Sequence, residues 1–135
     1  MKTFHLIVLT PRGVYLDAQV EELYLKTENG YMGIFANHDT LITNVQIAPG
    51  FIKINNLREY YAIFIGVLNI AKDKVTLIVN NIERADYINL ERATSAMNRA
   101  NERIKKKDSN TDYERAELAL KRAVARIGAI KKDFI

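Results

Sequence analysis

Arg84-Ala85-Asp86-Tyr87 divides this chain, because the spacing of its apolar residues changes there. Before it, Tyr60 to Ile65 and Val75 to Val79 are short apolar runs. Phe4 to Thr10 begins with alternation, and Val20 to Thr27 alternates through Glu21, Glu22, Leu23, Tyr24, Leu25 and Lys26. Runs of this length with a period of two are strands, since successive side chains of an extended chain point to opposite faces. Pro11-Arg12-Gly13, Glu28-Asn29-Gly30 and Lys72-Asp73-Lys74 supply turns between runs. Closely spaced strands with no helical segment between them predict an antiparallel sandwich or flattened barrel rather than a parallel α/β sheet.

After the divide the period becomes three and four. Ala93, Met97, Ala100 and Ile104 make one stripe, and Tyr113, Ala116, Leu120, Ala123, Ile127 and Ile130 make another; each is the signature of an amphipathic helix. Lys105-Lys106-Lys107 places cations at the negative dipole end of the first helix. Thr111-Asp112-Tyr113-Glu114 has capping-box spacing for the start of the second. The short link predicts an antiparallel hairpin. Both stripes are narrow and rich in Ala, so the helices approach closely while burying little apolar area. Elements held so weakly belong to the low-stability end of a structure, from which movable parts are drawn.

The composition agrees with one compact domain or two small ones. The chain has 135 residues, of which 48% are hydrophobic and 27% charged, inside the globular range. Its net charge of +4 is unevenly placed. Residues 1–87 carry 8 Lys/Arg against 9 Asp/Glu, whereas residues 88–135 carry 12 against 7, so the basicity belongs to the helical part. Without Cys there is no disulfide framework, thiol nucleophile or thiolate metal site. The apolar run Leu6–Leu9 is too short for a signal peptide and ends in Thr10-Pro11-Arg12, which leads to the expectation of a cytoplasmic-side protein. No stretch approaches the roughly 20 apolar residues of a membrane span, so membrane association is expected only through a partner.

The residue inventory disfavours catalysis. The two His (His5, His38) lie in the β part and the two Ser (Ser95, Ser109) in the helical part, a poor basis for a Ser-His-Asp triad or a zinc site. Neither common phosphate-cradling glycine loop is present. The basic helices interleave Glu91, Glu102, Glu114 and Glu117, and no exposed aromatic series offers a base-stacking platform, so nucleic acid is not the expected partner. More specific are Arg92, Arg99 and Arg103, matched by Arg115, Arg122 and Arg126, which run as rows beside the Ala stripes. Guanidinium groups so placed suit carboxylate or phosphate, which they bind bidentately.

Several segments then point to one family. Leu9-Thr10-Pro11-Arg12-Gly13, Asn29-Gly30-Tyr31-Met32-Gly33-Ile34 with Asn37-His38, Tyr61-Ala62-Ile63 to Gly66, Lys74–Val79 and Ile88-Asn89-Leu90-Glu91-Arg92-Ala93 together resemble, in order and spacing, the epsilon-subunit family of bacterial F-type ATP synthases. The resemblance implies a β + α fold: an N-terminal antiparallel β-sandwich of ten strands over residues 1–85, then an antiparallel two-helix hairpin over residues 86–135. It implies a non-catalytic subunit, peripheral on the cytoplasmic side of the bacterial cell membrane. The sandwich would bind the gamma subunit and the c-ring, and the hairpin would reach the alpha and beta catalytic subunits to inhibit ATP hydrolysis.

No cofactor is required by the resemblance, but some members bind a regulatory ATP on the folded hairpin. The corresponding positions are Glu83, Ile88, Asn89, Arg92, Ala93, Arg99, Arg122 and Arg126. The family usually has Asp where this chain has Asn89, so the helix cap is expected to survive and ATP binding to be weak or absent. Ala36-Asn37 stands where the family often has Pro-Gly, with an expected loss of loop freedom. His38 is expected to be structural and Met32 to serve packing or subunit contact. The competing reading keeps the sandwich as a rotor coupler and makes the hairpin an inert clamp.

Overall fold

A computed structural model describes residues 2–106 and 110–134. Ten strands come first: β1 (Phe4–Thr10), β2 (Gly13–Val20), β3 (Glu22–Thr27), β4 (Gly30–Ile34), β5 (Leu41–Val45), β6 (Ala48–Ile54), β7 (Leu57–Ile63), β8 (Gly66–Ile70), β9 (Val75–Val79) and β10 (Ile82–Arg84). A 3-10 turn, Ala85–Tyr87, leads into α1 (Leu90–Lys106) and α2 (Asn110–Lys131). The Lys107-Asp108-Ser109 link and the side chain of Thr111 lie outside the described residues; α2 is already under way at Asn110, before the expected capping box.

The strands form one sheet curled into a sandwich, in the order β10-β7-β6-β3-β5-β8-β9-β1-β2 with β4 on β3. Every pairing is antiparallel except one. β1 and β9 run parallel, Leu6–Leu9 beside Val75–Ile78, a single exception within the expected antiparallel sandwich. These two strands are separated by most of the β part, so no tight turn dictates their relative direction.

Alternation sorts the side chains. Leu6, Val8, Leu23, Leu25, Leu68, Ile70, Val75, Leu77 and Val79 are buried in a single core with Ile52, Tyr61 and Ile63. Met32 packs against the same core, which gives it a packing role. β6 and β7 break the alternation because both of their faces are covered: Ala62 and Phe64 form a second cluster with Ala125 and Ala129 of α2, flanked by Ile47, Ala85 and Ile88. Helix α2 lies close to its strand; a Cβ at Gly128 would stand 2.8 Å from Cγ of Pro49.

The hairpin has the expected Ala seam. Ala93 and Ala100 of α1 and Ala116 and Ala123 of α2 are all buried, and each pair is seven residues apart, on one face of its helix. Ala125 lies about 200° around the helix from Ala123, at roughly 100° per residue. Hence α2 is sandwiched, one face on α1 and the other on β6 and β7. Tyr113, expected on the seam, is 40% exposed. Asn37 adopts φ 66, so the left-handed freedom expected to be lost at this loop is supplied by asparagine.

Candidate functional site

The start of α1 is built by Asn89. Its Oδ1 accepts the backbone N–H of Arg92 at 3.0 Å, and its carbonyl accepts the N–H of Ala93 at 3.0 Å. This is N-cap geometry, in which a side chain satisfies one of the donors that a helix leaves unpaired. Ile88, one residue earlier, packs against the Ala62, Phe64, Ala125 and Ala129 cluster, so the helix entry is tied to the contact between α2 and the sheet.

Beside that contact, Arg126 of α2 meets Glu83 of β10 in a two-point clasp. Nε donates to Oε1 at 2.8 Å and the terminal nitrogen donates to Oε2 at 2.9 Å. Glu83 Oε2 also accepts from Asn81 Nδ2 at 3.0 Å, and Asn81 Oδ1 accepts the Ile82 N–H. The guanidinium lies 5.1 Å from the centre of the Phe64 ring. Its pKa is raised, first by the hydrogen bonds to Glu83, against the opposing cost of burial.

The remaining arginines share one side of the helix pair. Arg92, Arg99 and Arg122 each immediately precede a buried alanine of the seam: Ala93, Ala100 and Ala123. In an antiparallel pair of right-handed helices, positions preceding the contact residues on both helices project to the same side. Among the described residues, these three side chains make no ion pair. With Arg115, which precedes the buried Ala116 in the same way, they line one side of the helix pair, the side that leads to the Glu83–Arg126 clasp. The structure thus pairs Glu83 with Arg126 and Asn89 with Arg92, buries Ala93 in the seam, packs Ile88 on the second cluster, and gives Arg99 and Arg122 no ion pair among the described residues.

A separate cavity lies elsewhere. A groove of about 1110 Å³ opens on another side of α2, between Leu118, Lys121 and Val124 and the segment Asn44–Pro49, and it includes none of the eight positions. At its end sits an unexpected aromatic group: Tyr24, Tyr31, Phe51 and Tyr60 gather on the sandwich with Phe134 over them. A linear reading finds no such series because four separate strands contribute to it. Of the histidines, His38 bonds through Nδ1 to the Asp39 carbonyl at 2.9 Å, a local turn contact, and His5 lies 2.6 Å from the exposed Asp17. Among the described residues no group of three or more His, Asp or Glu is placed to hold a metal ion.

Comparison with known proteins divides the chain at the same place. Residues 3–85 match the family described as ATP synthase, Delta/Epsilon chain, beta-sandwich domain, and residues 86–131 match its long alpha-helix domain. The chain belongs to the ATP synthase delta/epsilon family. Relatives of this family named ATP synthase epsilon chain include that of Bacillus cytotoxicus, 36% identical over 127 residues, covering 94% of this chain and 96% of the relative. That of Natranaerobius thermophilus is 39% identical over 132 residues, covering 96% and 94%. A chain of the Euglena gracilis mitochondrial ATP synthase, solved with OSCP, F1 and c-ring, shares the fold with a TM-score of 0.82 at 16% identity, over 90% of this chain and 77% of that one. As an epsilon-type member the protein is a non-catalytic subunit of a membrane-associated complex. Among the described residues no helix is long and apolar enough to cross a membrane.

Proposed function

We propose that this epsilon-type chain is a central-stalk subunit of a proton-translocating F-type ATP synthase, coupling c-ring rotation to the catalytic head and braking ATP hydrolysis through a movable hairpin. The sandwich binds the gamma subunit and the c-ring, and the extended hairpin meets the alpha and beta subunits. The subunit is peripheral, on the cytoplasmic side of the membrane. The known relatives support the first part: a structure of similar fold comes from the central stalk and c-ring of Tetrahymena thermophila ATP synthase, with a TM-score of 0.58 at 14% identity over the whole of both chains.

The observation that carries the braking role is how the hairpin is held. The middle of its sheet contact sets the small residues Ala125, Ala129 and Gly128 against Ala62, Phe64 and Pro49, with one charged clasp beside it. A buried methyl contributes only about 0.8 kcal/mol, so this contact is far weaker than the sandwich core. Undocking breaks the Glu83 clasp and frees Arg126 to join Arg92, Arg99 and Arg122. Acidic surfaces on a partner then offset the lost contacts, which is what a two-state element requires. When docked, the same arginines form the side that takes the phosphates of a regulatory ATP, weakly because Asn89 lacks the carboxylate usual in the family.

Reconstitution of the catalytic complex with the full chain or with residues 1–87 tests this reading. Faster ATP hydrolysis with the shortened chain identifies the hairpin as a brake, and relief of inhibition at high ATP identifies nucleotide sensing. Equal rates in intact complexes make the hairpin an inert clamp.

A further inference from the structure

The end of the chain makes a contact that neither the arginine row nor the Ala seam requires. At the C-terminus of α2, Lys132 adopts φ 59 and donates its N–H to the Gly128 carbonyl at 2.8 Å. This left-handed cap is usually glycine, and it turns the chain sharply out of the helix. The turn delivers Phe134 to the sandwich, where its ring lies 5.9 Å from Tyr31, 6.0 Å from Tyr60 and 6.4 Å from Tyr24. The ammonium of Lys132 sits 4.8 Å from the Tyr60 ring centre.

The receiving surface is built by strand register. Tyr24 is the cross-strand partner of Phe51, and Phe51 of Tyr60, so the three rings form one row across β3, β6 and β7. Gly33 stands opposite Tyr24 on β4. A Cβ there would meet Glu22 and Phe35, and Tyr31, two residues earlier on β4, stacks on Tyr24 with ring centres 5.0 Å apart. The Tyr31 hydroxyl donates to the Pro49 carbonyl at 2.8 Å, and Pro49 is the residue against which Gly128 packs. The aromatic row and the helix contact therefore share a support.

We infer that Phe134 is a latch, whose docking on the Tyr24, Tyr31 and Tyr60 rings holds α2 down and sets the fraction of molecules with an undocked hairpin. Aromatic contacts of this geometry stabilise beyond the area they bury, and the ring outweighs any single alanine in the adjoining contact. The latch rests on the structure alone; its effect on hydrolysis rests on the braking role proposed above.

Hydrogen–deuterium exchange of the full chain tests it, comparing wild type with Phe134→Ala and Phe134→Tyr. With Phe134→Ala, amides in the second half of α2 exchange roughly tenfold faster or more while β8 and β9 are unchanged; Phe134→Tyr, which keeps the ring, stays close to wild type. Unchanged α2 exchange in Phe134→Ala overturns the latch, as does acceleration spread equally through the core strands. In the assembled complex, Phe134→Ala lowers ATP hydrolysis. Faster α2 exchange without lower hydrolysis supports the latch and removes the braking role instead.

Discussion

Arg126 and Glu83 hold each other through two parallel hydrogen bonds, 2.8 and 2.9 Å, that join the second helix of the hairpin to the last strand of the sandwich. Each side chain is 29% exposed, so the pair is partly shielded from water. Cutting one partner leaves the other charge half-buried, and a cost of about 1–2 kcal/mol to docking is expected. Arg126→Ala should therefore raise the undocked population roughly tenfold, read as faster exchange or proteolysis of α2, with the β-core unaffected. Glu83→Gln keeps an acceptor for one of the two bonds and should fall between Arg126→Ala and wild type.

Asn89 caps α1 and is also one of the positions proposed for a regulatory nucleotide. Its amide oxygen already caps α1, so Asn89→Ala should cost about 1 kcal/mol of helix stability, seen as fraying of the first turn of α1. Asn89→Asp keeps the cap and adds a negative charge at the positive end of the helix dipole, with a gain of a few tenths of a kcal/mol. Under the proposed nucleotide role, the same substitution should tighten ATP binding, measured by titration calorimetry on the full chain. Tightening abolished by adding Arg122→Ala would place the phosphates on the arginine row.

What the sequence disclosed and what it hid follow from the range of each interaction. The switch at Arg84–Tyr87 from period two to periods of three and four is local, so the division into strands and hairpin was legible. So was the Asn89 cap, which spans three residues. The parallel β1–β9 pairing and the row of Tyr24, Phe51 and Tyr60 arise from register between distant strands, and no local spacing encodes them. Phe134 was missed although a signal existed: it is the only aromatic after Tyr113, and it follows the basic end of a helix. The apolar run at Tyr60–Ile65 also lacked alternation because its strand is covered on both faces, by the core and by α2.

Alkaline pH should loosen the same region. Burial, aided by the neighbouring Tyr24, pushes the Tyr31 phenol up to about 12 from its usual 10.0. A raised folded-state value means that the neutral form is favoured on folding. The contribution is complete below pH 10 and is lost as the pH rises towards 12. Tyr61 is shifted in the same direction, by burial first and then by its hydrogen bond to Glu59. Denaturation series between pH 8 and 11.5 should show a plateau followed by falling stability. Tyr31→Phe should make that fall shallower and lower the plateau by about 1 kcal/mol, since the Pro49 carbonyl loses its donor.

The sandwich has a second outer face that α2 leaves bare. Register places Val67 of β8 beside Ile78 of β9, and Ile78 beside Leu9 of β1, which in turn faces Val14 of β2. Ile42 of β5 lies two residues along on the same face, opposite Asn69. Ile42, Val14 and Ile78 are 72%, 64% and 49% exposed, large apolar side chains gathered on one face as at a protein contact. Under the proposed stalk role this face meets the gamma subunit. Ile78→Asp and Ile42→Asp alter exposed side chains, so each should shift the melting temperature by only a few degrees. Each should nevertheless weaken association with gamma by roughly tenfold or more, because the carboxylate would be desolvated without a partner. Pull-down with gamma, set against the melting curve of the free chain, reads the two effects separately. Normal association by both variants would move the contact to another face of the sandwich.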